Sequence, residues 1–341
     1  MVKVSTPGKV HLIGEHAVVY NKPAIIAAIG KRVFIEAEKL DSDTVKIDYI
    51  QGNYQNEVPL EEVLERGKKA QELWEQGNEK GDFSEIFAFC KDEKFAEVSI
   101  GYAMRELGIK GGASFRMDQQ IPLGSGLGSS SAYSVAITFA IAKLFGLDVP
   151  LERINEIAYG MEKFKHGKPS GGDNSTCCFG GLVWFVKGTP PTIKSLREEV
   201  PYSLENFVLV YSEKPQKTTG ELVQHVMGLD EGFRNARMDA IEKDTHQMLE
   251  ALKAKDFEKM KELINNTHKN LAELGVSTPA IERIVEAVRG IGGAAKLCGA
   301  GGGGIVLCWH ADKEKLIETI KGLGFEPWET DLAVEGAKVE A

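Results

Sequence analysis

The sequence lacks long hydrophobic runs and an excess of positive charge. No segment of its 341 residues approaches the roughly 20 apolar residues that a membrane-spanning helix needs. The first ten residues, MVKVSTPGKV, also lack the apolar core of a secretion signal. The net charge of −9 disfavours a surface for nucleic acids, which attract clustered lysine and arginine side chains. We therefore expect a cytoplasmic protein that binds neither a membrane nor a nucleic acid.

Cysteine is also scarce, and its spacing excludes the common cysteine-based sites. The sequence has no C-x-x-C pair and no zinc-site spacing, and two adjacent cysteines cannot easily bridge each other. Internal repeats and low-complexity tracts are absent as well. We expect five reduced thiols, mostly in the core: Cys90, Cys177, Cys178, Cys298 and Cys308.

The composition indicates a globular protein of more than one domain. Hydrophobic residues make up 43% of the chain and charged residues 27%. The length exceeds what one hydrophobic core usually serves, so we expect two domains. We interpret the proline-bounded segment PPTIKSLREEVP, residues 190–201, as a linker. The predicted domains are therefore 1–195 and 196–341.

In the first half, alternating apolar and polar residues predict strands at 33–38, 45–49 and 113–118. Residues 60–81 are rich in Glu, Lys and Gln, which predicts a solvated helix or an insertion. Apolar residues at helical spacing predict another helix over 92–107.

In the second half, the strand FVLVYS is followed by amphipathic helices, one of which starts at Thr278-Pro279. The segments AAKLC and GIVLCW then predict two strands, residues 312–322 a helix, and FEPWE a last strand. This order of elements is typical of a ferredoxin-like α+β domain.

The stretch PLGSGLGSSSA, residues 122–132, joins a predicted strand to a long apolar helix that begins near Ser129. Free amide groups and the positive end of a helix dipole attract phosphate at such a junction. The spacing matches neither G-x-x-x-x-G-K-[ST] nor G-x-G-x-x-G. The alternative is a tight glycine turn with serines that cap the helix.

Three further segments carry candidate site residues. TPGKVHLIGEHAVVY contains Lys9, Glu15 and His16, although a plain strand pair would also fit. EKFKHGKPSGGDN places Glu162 at a helix end and Asp173 in the glycine-rich turn that follows, unless this is only a polar loop. KLCGAGGGGIVLC has five glycines in the six residues 299–304, which favours close approach of a ligand or another backbone.

Two glycine loops, a lysine and two carboxylates suit phosphoryl transfer, which depends on positioning and charge neutralisation. The motifs PGKVHLIGEHAVVY, PLGSGLGSSSA and KLCGAGGGG occur in this order and resemble the GHMP kinase superfamily over almost the whole chain. Within that superfamily, GEHAVVYNKPA and HGKPSGGDN are most similar to the mevalonate kinases. Galactokinases typically continue GEH with T-D-Y, where this chain has Ala17, Val18 and Val19.

The resemblance implies a role for each matching position. Asp173 would accept or orient the proton of the C5 hydroxyl of mevalonate, and Lys9 would stabilise the alkoxide. Ser130 and Glu162 would hold Mg²⁺. Glu15, His16 and, less securely, Thr219 would bind mevalonate. ATP would contact two glycine loops through Gly124, Ser125, Gly126, Leu127, Gly128, Ser129 and Ser130, and through Gly301 and Gly302.

The resemblance also implies the fold and the activity. The fold would be α+β, with an N-terminal domain of the ribosomal protein S5-like type, a left-handed β-α-β crossover, and a ferredoxin-like C-terminal domain. The activity would be ATP-dependent phosphorylation of mevalonate to 5-phosphomevalonate in isoprenoid biosynthesis, by a homodimer. The alternatives are a phosphomevalonate or sugar kinase of the same superfamily, or a catalytically silent member.

Overall fold

The computed structural model describes residues 1–91, 93–122 and 124–341. Among these residues, twelve strands form one mixed sheet: β1 Val2–Ile13, β2 Pro23–Lys39, β3 Thr44–Tyr49, β4 Tyr54–Pro59, β5 Ala113–Gln119, β6 Leu182–Val186, β7 Thr192–Ser195, β8 Leu204–Tyr211, β9 Ala294–Leu297, β10 Ile305–Trp309, β11 Pro327–Leu332 and β12 Lys338–Val339.

The helices among the described residues cover the sheet and build the walls of the site. They are α1 Leu60–Lys80, α2 Ser84–Phe89, α3 Lys94–Glu106, α4 Ser129–Leu144, α5 Leu151–His166, α6 Gly172–Phe179, α7 Thr219–Met227, α8 Glu231–Ala254, α9 Phe257–Glu273, α10 Pro279–Gly290 and α11 Lys313–Gly322. A short 3₁₀ helix, Ala17–Tyr20, connects β1 to β2.

The long strand β2 organises the first half of the chain. It pairs antiparallel with β1, β5 and β6, and β1 carries the segment that contains Lys9. Strands β3 and β5 pair in parallel, and the chain between them forms β4 and the helices α1 to α3. The predicted strands at 33–38, 45–49 and 113–118 are thus confirmed.

The second half has the predicted ferredoxin-like arrangement. Its four strands lie in the order β11-β8-β10-β9, all antiparallel, with α7 to α10 between β8 and β9 and α11 between β10 and β11. Thr278 caps α10 and Pro279 occupies its first turn, as the sequence predicted. The pair Leu332 and Ile29 joins this sheet to β2. Both halves therefore share one continuous sheet.

Three sequence expectations need correction or qualification. Residues 190–201 are not a plain linker, because β7 pairs with β6 inside this segment. The helix α1 is only partly solvated, since Val63 and Ala70 are completely buried against the neighbouring elements. The helix expected over 92–107 is confirmed as Lys94–Glu106, and residue 92 lies outside the described residues. The domain boundary at 195/196 stays a prediction.

The remaining global expectations concern thiols and membranes. All five cysteines are free, and only Cys298 is not fully buried. In the described part of the chain, we find no helix with the length and apolar character to span a membrane.

Candidate active site

The first glycine loop lies directly over strand β1. The amide of Lys9 donates a hydrogen bond of 2.9 Å to the carbonyl of Leu127. Gly128 has φ of 74° and precedes α4, and a Cβ there would lie 2.7 Å from Cγ of Lys9. Glycine is therefore required at 128, because only its bare backbone lets the lysine pass beneath the loop.

The other loop residues differ in what they can offer a ligand. A Cβ at Gly124 or Gly126 would meet nothing within 4 Å, so these two positions border open space. The hydroxyl of Ser125 donates to the carbonyl of Pro122 at 2.7 Å and is engaged inside the loop. The start of α4 adds amide groups without intrahelical partners, which suits an anion.

Lys9 and Asp173 form an ion pair, with 3.0 Å between Nζ and Oδ2. The lysine side chain is 10% exposed and the aspartate side chain 38% exposed. Asp173 lies in the first turn of α6 and not in the preceding turn, which corrects the sequence expectation. The helix amino end also favours a negative charge there. The pair thus keeps an open carboxylate face over a buried cation.

The pair stays ionised because each charge compensates the other. Burial alone would raise the pKa of Asp173, but the charge of Lys9 and its hydrogen bond outweigh it and lower that pKa. Burial would lower the pKa of Lys9, whereas Asp173 raises it. Burial and the nearby Lys9 lower the pKa of His11 to about 3, so its imidazole is neutral.

Glu162 reaches the amino end of α4 from α5 and is held by serine hydroxyls. Ser131 donates to its Oε2 at 2.5 Å, Ser130 to the same oxygen at 3.2 Å, and Ser134 to Oε1 at 3.2 Å. The ring of His166 lies 3.7 Å from Oε2. Burial raises the pKa of Glu162 to about 7 despite these hydrogen bonds.

This donor set fits a magnesium ion that keeps most of its other ligands as water or phosphate. The described residues contain no cluster of three or more His, Cys, Asp or Glu side chains that could enclose a metal. Magnesium rarely uses such a cage and accepts one or two protein oxygens beside substrate phosphates. Ser130 and Glu162 supply hard oxygen donors, and a cation would offset the burial of the Glu162 carboxylate.

The glycine loop at 299–304, which belongs to the third motif along the chain and which we call the third loop, approaches the site through the turn after β1. Nε2 of the buried His16 donates to the carbonyl of Ala300 at 2.9 Å. The sulfur of Cys298, just before the loop, lies 3.8 Å from the carbonyl oxygen of His11. The amide of Gly302 already donates to Val276 at 2.8 Å. The loop therefore borders the site with part of its backbone engaged elsewhere.

Two predicted substrate-binding residues have other surroundings. Glu15 is 1% exposed, and its carboxylate forms an ion pair with the fully buried Lys296 of β9. Thr219 is exposed at the start of α7, where Thr218 caps the helix. Within the described residues, Thr219 makes no side-chain hydrogen bond to another site residue. Leu222 of α7 does contact Gly302, so the helix lies beside the third loop.

Two separate cavities border the site. A cavity of about 340 Å³ touches Ser129 and Ser130 and has aromatic walls, including Tyr49 and Tyr133. A cavity of about 790 Å³, which we call the acceptor cavity, is bordered by His11, Ile26, Trp74, Tyr159, Lys163, Lys168, Ser170, Phe185 and Lys187, among others. It adjoins the Asp173 side, because a Cβ at Gly172 would lie 2.9 Å from Ile26 and 3.0 Å from Phe185.

Sequence reasoning missed several residues of this region. Lys296 carried a usable signal, because a charged residue inside the apolar strand AAKLC needs a buried partner. His11 follows Lys9 by two residues on the same strand and shares its face. Trp74 and Lys163 had no signal, since only the folded chain brings α1 and α5 to one cavity.

Comparison with known proteins agrees with this architecture. Residues 94–181 match the family GHMP kinases N terminal domain, and residues 248–325 match GHMP kinases C terminal. Together with the full-length relatives below, these matches show that the chain belongs to the GHMP kinase family, which confirms the predicted kinase class and fold.

Within the family, the chain is similar to mevalonate kinases over its whole length. It is 32% identical to the enzyme of Pyrococcus furiosus, with 99% of this chain and 98% of that protein covered. It is 30% identical to the mevalonate kinase of Candida albicans, with 98% and 89% covered. The crystal structure of Methanococcus jannaschii mevalonate kinase superimposes with a TM-score of 0.81 at 27% identity, covering 98% of each chain.

Proposed function

We propose that the protein transfers the γ-phosphoryl group of ATP to the C5 hydroxyl of mevalonate, which yields 5-phosphomevalonate. The observation that carries this proposal is the Lys9–Asp173 ion pair at 3.0 Å, placed between the first glycine loop and the acceptor cavity. The full-length similarity to mevalonate kinases supports the choice of acceptor.

The ion pair suits a reaction in which an alcohol becomes a nucleophile. A carboxylate with a lowered pKa is a weak base, so it would receive the hydroxyl proton only as the new oxygen–phosphorus bond forms. The ammonium group of Lys9 would stabilise the alkoxide character of the oxygen and the charge on the transferring group. Asp173 would therefore orient the hydroxyl first and accept its proton late.

The nucleotide would lie along the first glycine loop. Open space at Gly124 and Gly126 and the free amides at the start of α4 suit the phosphates, with the aromatic cavity near Ser129 for the base. Mg²⁺ would be held by Ser130 and Glu162 and would neutralise phosphate charge when bound. Gly301 and Gly302 would approach from the third loop. His16, Glu15 and Thr219 remain proposed substrate-side residues, Glu15 as the buried chain neighbour of His16.

A substrate panel tests the proposal. Purified protein with Mg-ATP is given mevalonate, phosphomevalonate, galactose or homoserine, and ADP release is measured. We expect mevalonate to give by far the highest kcat/KM. A preference for phosphomevalonate or galactose would replace the proposed substrate, and no ADP release with any acceptor would favour a silent family member.

Assembly and location also belong to this proposal. We propose that the protein is a homodimer, as the resemblance implies, and that it works in the cytoplasm, as the composition predicts. Sedimentation of the purified protein tests the assembly.

A further inference from the structure

The segment between β1 and β2, residues 14–22, contacts two parts of the site at once, and we call it the connecting turn. Val18 and Val19 border the acceptor cavity. In the same turn, Nε2 of His16 donates a hydrogen bond of 2.9 Å to the carbonyl of Ala300 in the third loop. A displacement of the connecting turn would therefore disturb the acceptor cavity and the third loop together.

The backbone of the connecting turn is strained at His16. Its φ of 59° and ψ of −45° lie in a region that few residues other than glycine adopt. The amide of Ala17 donates to the carbonyl of Glu15 at 2.7 Å across this residue, which makes His16 the centre of a γ-turn of the rare positive-φ type. Strained backbone of this kind persists only where the surrounding structure holds it. Contacts from outside the turn must therefore stabilise it.

Lys22, at the end of the connecting turn, forms ion pairs with two carboxylates of α8. Its Nζ lies 2.7 Å from Oδ1 of Asp239 and 2.6 Å from Oε2 of Glu242. The two acidic residues are three positions apart and share one face of the helix. The lysine side chain is only 21% exposed, and Glu242 is 220 residues away in sequence. Lys22 therefore joins a turn of the first half of the chain to a helix of the second half.

Apolar and aromatic contacts bring the same two elements together. Ala17 is completely buried in the cluster that contains Met238 and Ile241 of α8. The guanidinium carbon of Arg234, also on α8, lies 5.4 Å from the ring centre of Tyr20. Apolar packing is non-directional, whereas charge-assisted hydrogen bonds favour a particular distance and geometry. The ion pairs of α8 with the connecting turn are thus the contacts that set its orientation.

We propose that Lys22 is a positioning residue for phosphoryl transfer, because its ion pairs with Asp239 and Glu242 hold the connecting turn in its strained conformation. With the turn held, His16 keeps its hydrogen bond to the third loop, and the two valines keep their place in the wall of the acceptor cavity. Lys22 itself does not occur among the described residues that line this cavity. The inference rests on the proposed function only through the acceptor that is assayed.

The first experiment compares the kinetics of Lys22→Met with those of the wild type, with Mg-ATP and mevalonate. We expect kcat/KM for mevalonate to fall about tenfold, mainly through KM, because the wall of the acceptor cavity is displaced. KM for ATP should change by less than about twofold, since the first glycine loop is untouched. Lys22→Arg should retain most of the activity, because its guanidinium group can still bind the two carboxylates.

Global stability distinguishes positioning from a role in folding. Asp239 is 67% exposed, so the ion pairs contribute little to the free energy of unfolding. The urea midpoint of Lys22→Met should therefore stay close to that of the wild type. A partly unfolded variant would lower kcat through the fraction of active molecules and would leave KM unchanged.

The imidazole of His16 reports on the connecting turn without any ligand. Burial lowers its pKa in the folded protein. In Lys22→Met the turn relaxes and the ring becomes more hydrated, so NMR titration should show this pKa rising toward its ordinary value of about 6.5. His16→Gln assigns the signal by its disappearance. His268 on α9, where burial lowers the pKa to about 4, should not change between the wild type and Lys22→Met.

Variants of α8 test whether Lys22 acts through this helix. A chain with both Asp239→Asn and Glu242→Gln should reproduce the rise in KM, and adding Lys22→Met to it should change KM little further. Lys253→Met breaks an ion pair with Glu250 on the same helix and should behave as the wild type. A wild-type KM for Lys22→Met, an unchanged titration of His16, or additive effects of the two sets of substitutions would overturn the inference.

The two proposals can fail separately. A wild-type protein that phosphorylates mevalonate, together with a Lys22→Met variant that behaves identically, refutes only the positioning role. If the wild type prefers another acceptor, the proposed substrate is wrong, and the same variants are measured with that acceptor. If no acceptor is phosphorylated, the proposed function and the positioning role in phosphoryl transfer are both refuted, whatever the titration of His16 shows.

Discussion

Asp173 and Lys9 depend on each other, and each would be costly to bury alone. We predict that Asp173→Asn lowers kcat about a hundredfold or more, because an amide cannot accept the hydroxyl proton. Binding of ATP, measured by calorimetry, should persist, since the glycine loop is untouched. Asp148→Asn, at an exposed loop position, serves as the control. Near-normal turnover of Asp173→Asn would remove this residue from the role of base.

Ser130 is predicted to affect the metal requirement more than the fold. In Ser130→Ala, the Mg²⁺ concentration for half-maximal activity should rise severalfold, because one proposed oxygen ligand is lost while Ser131 and Ser134 still hold Glu162. Titration of activity with Mg²⁺ at saturating ATP measures this. Ser195→Ala, on the exposed strand β7, should behave as the wild type. An unchanged Mg²⁺ requirement in Ser130→Ala contradicts the assignment.

Asp244 on α8 links stability to pH. Burial raises its pKa to about 6, against the opposing charges of Lys259 and Lys243, with Glu262 also nearby. The folded state therefore binds the proton more tightly than the unfolded state, so this residue makes stability fall as pH rises from about 4 to 6. Above pH 6, the buried carboxylate costs about 1 to 2 kcal/mol after allowance for solvent screening.

The neutral variant Asp244→Asn should lack this cost. Its melting temperature relative to the wild type should be higher at pH 7.5 than at pH 4.5, as measured by calorimetry at both values. Asp148→Asn provides the matched exposed position. A pH-independent difference between Asp244→Asn and the wild type would rule out this linkage.

At the scale of elements, α1 and α3 cross at glycines, and this close crossing brings Trp74 to the acceptor cavity. A Cβ at Gly101 would lie 1.9 Å from the carbonyl oxygen of Val63, so the helices would have to separate. We predict that Gly101→Ala lowers the free energy of unfolding by about 2 to 4 kcal/mol. Urea denaturation provides the measurement.

Another helical glycine supplies the control for that prediction. At Gly290 in α10, a Cβ would meet nothing within 4 Å. Gly290→Ala should therefore be neutral or stabilise by up to about 1 kcal/mol, because alanine favours the helix. Equal effects of the two substitutions would show that the crossing is not tightly packed.

Local patterns largely predicted whether a segment forms a helix or a strand. They did not predict which of its residues are buried against other elements. Periodicity and the Thr278-Pro279 start indicated α10 correctly. The same reasoning read α1 as solvated, because its few apolar residues, such as Val63 and Ala70, are outnumbered by charges. It also missed β7, since the exposed residues of a short edge strand carry no burial pattern.

Across the whole molecule, the buried pair of Glu15 and Lys296 joins the turn after β1 to β9. Lys296 also donates to the carbonyls of Leu297 at 3.0 Å and His11 at 3.2 Å. We predict that Lys296→Met lowers the free energy of unfolding by about 3 to 5 kcal/mol, because it leaves a carboxylate buried without its cation. Urea denaturation followed by fluorescence measures the loss.

A double variant separates the unpaired charge from lost packing. Glu15→Gln in the Lys296→Met background should recover part of the stability, because the isolated buried charge is gone. The exposed pair of Lys194 and Glu199 is the control, and Lys194→Met should cost less than about 1 kcal/mol. Strict additivity of the Glu15 and Lys296 substitutions would show that the two residues are not coupled.

The amino-acid sequence by itself determined several strands and helices of the first half, the ferredoxin-like order of the second half, the three glycine-bearing motifs and the residue types suited to phosphoryl transfer. These features are local, because hydrophobic periodicity, glycine and capping residues act within a few positions of the chain. Only the tertiary structure decided that Lys9 pairs with Asp173, that Glu15 faces Lys296, and that Lys163, Lys168 and Lys187 line one cavity. Charge pairing and cavity lining depend on side chains that are distant along the chain and become neighbours only when the sheet and helices pack.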